Sequence, residues 1–310
     1  MKIFISDKKL SGGPSVFKEL LKSSLKKKGY HLVLDSSEKV DIELGFISFK
    51  SKNAKKRILR LDGVYYQSHQ ISMNSEIKEN IKKADAIIYQ SEFSRSMVKK
   101  MVLDASVPEC VIYNGTDLSK IKSASPFKKY GKTQFVMCAD WRNTKRPMSA
   151  IRGFCKWIKD NKIKDAKLVV IGDFGKYKNE ISSDYKNNII LLGDVKNSLI
   201  FPVLKSSDFM MHLCFIDSCP NAVVEGISCG LPVLCTNLGG TREIVGDYGH
   251  VINCDSFNFS PTEKITDNIS PDIVSNGISA LCSKNYNNQN SKNLDINMVV
   301  DKYIKFMESL

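Results

Sequence analysis

The stretch that decides the fold is Asp217-Ser-Cys-Pro-Asn-Ala-Val-Val-Glu225-Gly-Ile-Ser-Cys-Gly-Leu-Pro-Val-Leu-Cys-Thr-Asn-Leu-Gly239-Gly240-Thr-Arg-Glu243-Ile-Val-Gly246. It sets two acids around a helix start, then a buried strand near 232–235, then a glycine pair that opens another helix. Pro220 suits the first helical turn, where its missing N–H would be unpaired anyway and its φ is already helical. Gly230 closes that helix. Backbone N–H groups of Ser218, Cys219 and Asn221, and those from 239 to 241 including Gly239 and Gly240, then point at an anion. Helix N-termini carry unpaired donors and partial positive charge. At the rim, Asp217 and Glu225 are acceptors suited to the paired hydroxyls of a sugar or ribose. The stretch reads as a cradle for a carbohydrate and a diphosphate.

On both sides of it, short β-branched or aromatic runs alternate with helical patterns, which argues for parallel sheets with crossover helices. Strands are expected near 2–6, 30–34, 56–60, 86–89 and 110–113, then near 134–138, 167–171, 188–192, 208–213, 232–235 and 249–252. Between the two series, Asn114-Gly115-Thr116-Asp117 and a Lys/Ser-rich, apolar-poor segment to Gly131 read as a linker. The expected organisation is α/β, with Rossmann-like domains over 1–125 and 132–293. Helical patterning recurs near 270–282, and a polar tract follows from Asn285 to Asn293. In 294–310, Val299, Val300, Tyr303, Ile304 and Met307 recur at helical spacing, giving a terminal amphipathic helix.

Further motifs sit where such sheets end. Strand 2–6 runs into Ser11-Gly12-Gly13-Pro14, where Gly12 and Gly13 allow close backbone approach to a phosphate, a plain turn being the alternative. Strand 134–138 leads into Arg142, Lys145 and Arg146, three cations that form either a clamp for a leaving diphosphate or a solvated basic turn. In Arg60-Leu61-Asp62-Gly63, Asp62, or His69 shortly after, is placed to accept a proton from an acceptor hydroxyl. The alternative is a turn held by Asp62 beside a surface histidine. Gly172 and the Gly193–Val195 turn end strands on the side expected to frame a nucleotide base. Ser91 reads as a helix cap, His212 as a core histidine, and Cys219, Cys229 and Cys235 as small packing residues.

Asp217, Glu225, Gly230, Pro232, Val233, Gly239, Gly240 and Glu243 together resemble glycosyltransferase family 4, retaining enzymes of the GT-B fold. That family shows Glu-x7-Glu, a small-residue helix, Gly-x-Pro-Val and Gly-Gly-x-x-Glu. Asp217 is one methylene shorter than the family's first Glu. Lys145 stands at the family's Lys, Arg146 stands in for its Gly, and Arg142 is closer to Lys145 than the family's Arg. The resemblance is strongest over 134–252, looser over 1–120 and absent from the tail. It implies two Rossmann-like domains facing a central cleft, with the terminal helix crossing back onto the first. It also implies a metal-independent, retaining hexosyltransferase that moves a sugar from a UDP- or GDP-linked donor to a hydroxyl of a glycan or lipid-linked glycan. In that reading Glu225 holds donor hydroxyls, Asp217 contacts the transferred sugar, and Arg142, Lys145 and Arg146 take the diphosphate. A nucleotide-sugar 2-epimerase of the same fold and a non-catalytic sugar-nucleotide or glycan-binding protein remain as alternatives, with a nucleic-acid module last.

Composition bounds these readings. The 310 residues, 42% of them hydrophobic, suffice for two cored domains. Nine cysteines, scattered and without Cys-x-x-Cys or zinc-site spacing, indicate neither a disulfide framework nor a zinc site, so a reducing compartment is expected. No Asp-x-Asp occurs, so no metal site is expected, and no cofactor beyond the nucleotide-sugar co-substrate. The net charge of +13 suits solvated lysine-rich helix faces, a peripheral anionic membrane face, or nucleic acid. Basic-aromatic alternation is absent, which makes nucleic acid the weakest of the three. Neither a signal peptide nor a run of ~18 apolar residues is expected, so the expected location is cytoplasmic, with a peripheral position at the inner membrane surface as its extension.

Overall fold

The computed structural model describes residues 1–7, 12–287 and 291–310. Ser11 of the first glycine turn and residues 288–290 of the polar tract lie outside the described residues. The first lobe runs β1 (Lys2–Asp7), α1 (Gly12–Lys27), β2 (His31–Val33), β3 (Val40–Phe46), β4 (Ala54–Leu61), α2 (Asn74–Lys82), β5 (Ala86–Tyr89), α3 (Glu92–Met101), β6 (Glu109–Val111) and α4 (Leu118–Ser123). The second runs β7 (Thr133–Cys138), α5 (Pro147–Asp160), β8 (Ala166–Ile171), β9 (Ile189–Gly193), α6 (Asn197–Lys205), β10 (Phe209–His212), α7 (Asn221–Ser228), β11 (Val233–Thr236), α8 (Thr241–Val245), β12 (Gly249–Ile252) and α9 (Pro271–Cys282). The last helix, α10 (Ile296–Glu308), returns to the first lobe.

Among the described residues each lobe holds one six-stranded sheet, in the orders β2-β1-β3-β4-β5-β6 and β12-β11-β10-β7-β8-β9. Every pairing is parallel. Chain order reverses between β1 and β3 and between β10 and β7, and at such reversals the loops at the strands' carboxyl ends leave a crevice for ligands. The two sheets turn those ends toward one seam, where Gly13 of the first lobe meets Asn221 of the second. No helix among the described residues is long and apolar enough to cross a membrane.

The structure adds β3, which lies between β1 and β4 in the middle of the first sheet, to the strands expected from sequence. Its residues Val-Asp-Ile-Glu-Leu-Gly-Phe hide the signal, because a central parallel strand ordinarily reads as an unbroken apolar run. Glu43 is fully buried there and accepts the N–H groups of Lys50 at 2.6 Å and Ser51 at 2.9 Å. The segment expected to be a bare linker carries α4, whose Asp117 cap accepts the N–H groups of Ser119 and Lys120.

Asp295 caps α10 by accepting the Asn297 N–H, and the expected apolar stripe of Val299, Val300, Tyr303, Ile304 and Met307 packs with Phe17, Leu21 and Ile58. Tyr303 is fully buried, and its hydroxyl accepts the Arg60 Nε–H at 2.9 Å. The buried Arg60 guanidinium also donates to Asn114 Oδ1 at 2.6 Å, pairs with Asp62, and lies over the Phe17 and Phe46 rings. One cation thereby joins the crossing helix, the first sheet and the seam. Tyr303→Ala removes a buried ring and leaves a guanidinium N–H unpaired, and is expected to cost about 3–5 kcal/mol. Urea denaturation followed by far-UV circular dichroism checks this, and a loss under about 1 kcal/mol would mean α10 is dispensable to the first lobe.

Candidate functional site

The site begins with the turn before α7. Pro220 is the N-cap, with φ −68° and ψ 120°, one residue outside the first turn expected for it. Its carbonyl accepts the N–H groups of Val223 and Val224. No side chain caps α7, and its first turn carries no acid, so this N-terminus keeps its donors and partial positive charge. Asn221 donates from Nδ2 to the Gly13 carbonyl at 2.9 Å, which sets the start of α7 against the start of α1. Asn114 fixes that approach from the end of β6. Its Nδ2 donates to Asn221 Oδ1 at 2.8 Å and to the Cys219 carbonyl at 3.0 Å, and its oxygen is held by Arg60.

Lys145 and Asp217, both largely buried, form an ion pair. Burial would raise the Asp217 carboxyl, but the Lys145 ammonium, helped by His212, outweighs it and holds the carboxyl well below the usual range. Burial would likewise lower Lys145, and Asp217 outweighs it and raises the ammonium. The His212 Nε2 lies 3.7 Å from Asp217, and burial keeps this histidine below its ordinary value. His212 is thus a core histidine, as expected, that also faces the acid.

Glu225 sits one turn into α7, on the face of Asn221, and differs from Asp217 in every electrostatic respect. No ion pair reaches it among the described residues, and burial alone raises its carboxyl from 4.5 to about 7. Two carboxyls eight positions apart in the chain are thus pushed in opposite directions, a pattern that functional sites often show.

Several expected contributors are engaged elsewhere. The Arg146 guanidinium makes a buried two-point ion pair with Asp255, at 2.6 and 2.7 Å, so it is committed to Asp255 and not available as a free diphosphate clamp. Its φ of 52° is the left-handed conformation that favours glycine. Arg142 is half exposed and bound to its neighbours Asp140 and Thr144. Asp62 Oδ1 is held by Arg60 and Gln90 while its Oδ2 is buried without a hydrogen-bond partner among the described residues, and His69 is exposed in the 3-10 turn of Ser68–Met73.

The glycines serve mainly as close contacts. A Cβ on Gly239 would lie 2.7 Å from the Asp217 carbonyl, and one on Gly240 would lie 1.9 Å from that of Ser218 and 2.4 Å from Ser91 Oγ. The Gly240 N–H is taken by the Asp217 carbonyl at 2.8 Å, so it does not face an anion. A Cβ on Gly172 would lie 2.0 Å from the Ala139 carbonyl, which makes that glycine a packing position under Trp141. Gly193, at φ +67°, has open space beside it, and Val195 is partly buried against the second-lobe core.

Two residues play seam roles that their motifs did not specify. Asn114, expected in a strand-loop segment at the start of the linker, instead ties β6 to the α7 start. Glu243, quoted only as a motif letter, accepts first-lobe N–H groups. As to metals, His212, Cys214 and Asp217 hold their potential ligand atoms within 4.8 Å of one another. That set suits a softer transition metal than magnesium, and the Lys145 ammonium already neutralises Asp217.

Residues 132–262 match the family described as Glycosyl transferases group 1, a span that includes Lys145, Asp217 and Glu225. An uncharacterized glycosyltransferase of Methanocaldococcus jannaschii is 28% identical over 216 residues, covering 64% of this chain and 52% of that protein. The UDP-Gal:alpha-D-GlcNAc-diphosphoundecaprenol alpha-1,3-galactosyltransferase of Escherichia coli is 27% identical over 177 residues, covering 51% of this chain and 44% of that protein. The chain spans about half the length of the curated relatives it matches. Anabaena HepE, solved in complex with UDP, shares the fold with a TM-score of 0.68 at 15% identity, over 100% of both chains. The fold is GT-B: two Rossmann-like lobes facing one another, the second carrying the glycosyl transferases group 1 match.

Glu225 yields a stability prediction. Its folded-state value lies above the unfolded one, so the folded protein holds that proton more tightly. The stabilisation from the neutral carboxyl is therefore full below about pH 4.5 and is lost as pH rises through about 7. Glu225→Gln is expected to match the parent near pH 4 and to exceed it near pH 8 by up to about 3 kcal/mol. Thermal melts at the two pH values check this, and a variant less stable at both would show the carboxylate to be structural.

Proposed function

We propose that the protein is a retaining glycosyltransferase of the family 4 type, moving a hexosyl group from a nucleotide-sugar donor to a hydroxyl of a glycan or lipid-linked glycan. The observation that carries this reading is the juxtaposition at the seam: the uncapped start of α7 against the start of α1, with Lys145 beside it and Glu225 unpaired one turn along. Amide dipoles and one ammonium are the groups that would stabilise charge building on a departing diphosphate. The phosphates compete with Asp217 for Lys145, and the freed carboxylate then faces the transferred sugar, where negative charge favours a cationic transition state. Glu225 accepts from vicinal hydroxyls of the donor, with ribose the first candidate.

The names of the similar proteins lend support to a UDP-linked donor and a lipid-linked acceptor, since one is named for UDP-Gal and a diphosphoundecaprenol acceptor and another was solved with UDP. In this reading the chemistry proceeds without a resident metal, and no further cofactor is needed. Work in the cytoplasm, with lysine-rich faces against an anionic membrane surface, fits a lipid-linked acceptor.

The test is a thermal-shift panel of UDP- and GDP-sugars followed by product analysis. Donor at a hundredfold excess over Kd is expected to add about 2.7 kcal/mol to stability, and Lys145→Ala to weaken donor binding about 10- to 100-fold. Glu225→Ala is expected to weaken it as well. Stabilisation by no nucleotide sugar, or acceptor-independent release of nucleotide with a rearranged sugar, would overturn the reading, the second outcome in favour of an epimerase.

A further inference from the structure

Helix α3 of the first lobe is capped from both lobes. Its own Ser91 accepts the Ser94 N–H at 3.1 Å, and the Arg95 N–H bonds the Ser91 carbonyl at 3.0 Å. The two remaining donors of the first turn go to Glu243 of the second lobe. Glu243 Oε2 accepts the Glu92 N–H at 2.8 Å, and Oε1 accepts the Phe93 N–H at 2.7 Å. The Tyr113 hydroxyl, beyond β6, donates to the same carboxylate at 3.1 Å. A carboxylate at a helix start is stabilised by both the hydrogen bonds and the dipole.

Glu243 is also tied to the candidate site by three residues of chain. It follows Gly240, whose N–H is bonded to the Asp217 carbonyl and where an added Cβ would lie 1.9 Å from the Ser218 carbonyl and 2.4 Å from Ser91 Oγ. A larger residue at 240 would push these apart, so the seam is closed at van der Waals contact beside the acid that pairs with Lys145. On the proposed function, donor and acceptor would enter between the lobes, and such contacts would part and re-form in each turnover.

We infer that Glu243 is a positioning residue, a latch whose carboxylate completes the α3 cap only when the lobes are closed, and so couples occupancy of the Asp217 turn to closure. It touches no substrate. The coupling to transfer rests on the proposed function, whereas the latch is a property of the seam. The aromatic contacts of Tyr66, Phe93, Phe215 and Phe257 and the Tyr66–Thr262 backbone bond also span the seam, so loss of Glu243 leaves the lobes able to fold and to meet.

The test compares the parent chain with Glu243→Gln and Tyr113→Phe by hydrogen–deuterium exchange and by transfer kinetics. In Glu243→Gln the amides of Glu92 and Phe93 are expected to exchange about tenfold faster, with Tyr113→Phe intermediate. UDP is expected to slow their exchange in the parent and much less in Glu243→Gln. UDP affinity should stay within about twofold while kcat falls about tenfold or more, the pattern of a residue needed only for the closed state. Unchanged exchange at 92–93 in Glu243→Gln would overturn the latch, and a fall in UDP affinity matching the fall in kcat/KM would show Glu243 to be a ligand contact. If no donor supports transfer, the proposed function fails on its own, and the exchange arm still decides the latch. Should Glu243→Gln not fold, Tyr113→Phe decides by the same readouts.

Discussion

Backbone N–H groups at helix starts need acceptors, and the order of this molecule follows from where they find them. Along the seam α3 is completed by Glu243 and α5 by Asp267, whose carboxylate accepts the Met148 and Ser149 N–H groups at 2.6 and 2.8 Å. Helix α7 receives no such acid. The starts of α3 and α5 are thus neutralised by carboxylates from distant segments, whereas the start of α7 keeps its donors unmatched by any acid among the described residues. That difference separates scaffold from site more sharply than any residue type does.

The two acids spaced by seven residues divide along the same line. Asp217 lies beside an ammonium that keeps it ionised, while Glu225, largely enclosed and with no ion-pair partner among the described residues, has its carboxyl raised to about 7. Similar residues on one turn-and-helix unit therefore arrive at opposite protonation tendencies, because only the first reaches Lys145. A carboxyl raised without a partner weakens the folded state at neutral pH.

The local structure was largely legible in the sequence. Apolar β-branched runs placed the strands of the second sheet, and the stripe from Val299 to Met307 placed the crossing helix, because burial on one face leaves a period. Strand β3 escaped, since Glu43 finds its partners in the N–H groups of Lys50 and Ser51 and so breaks the apolar run without leaving the core. The site was legible in part: Lys145 and Asp217 form an ion pair, and Glu225 lies one turn into α7. What escaped was the choice of partner. Arg146 meets Asp255, 109 positions away, and Glu243 meets Phe93, 150 positions away. A charge in a motif announces that it will be used, and says nothing of which distant segment will use it.

The crossing helix also bears on how the protein is made. Its apolar stripe completes the core of the first lobe, although it is translated after all of the second. During synthesis the first sheet therefore emerges with one side uncovered, and it waits through roughly two hundred further codons for its last wall. At ordinary elongation rates that is an interval of about 10–40 s, during which the apolar side that α10 will cover stays exposed.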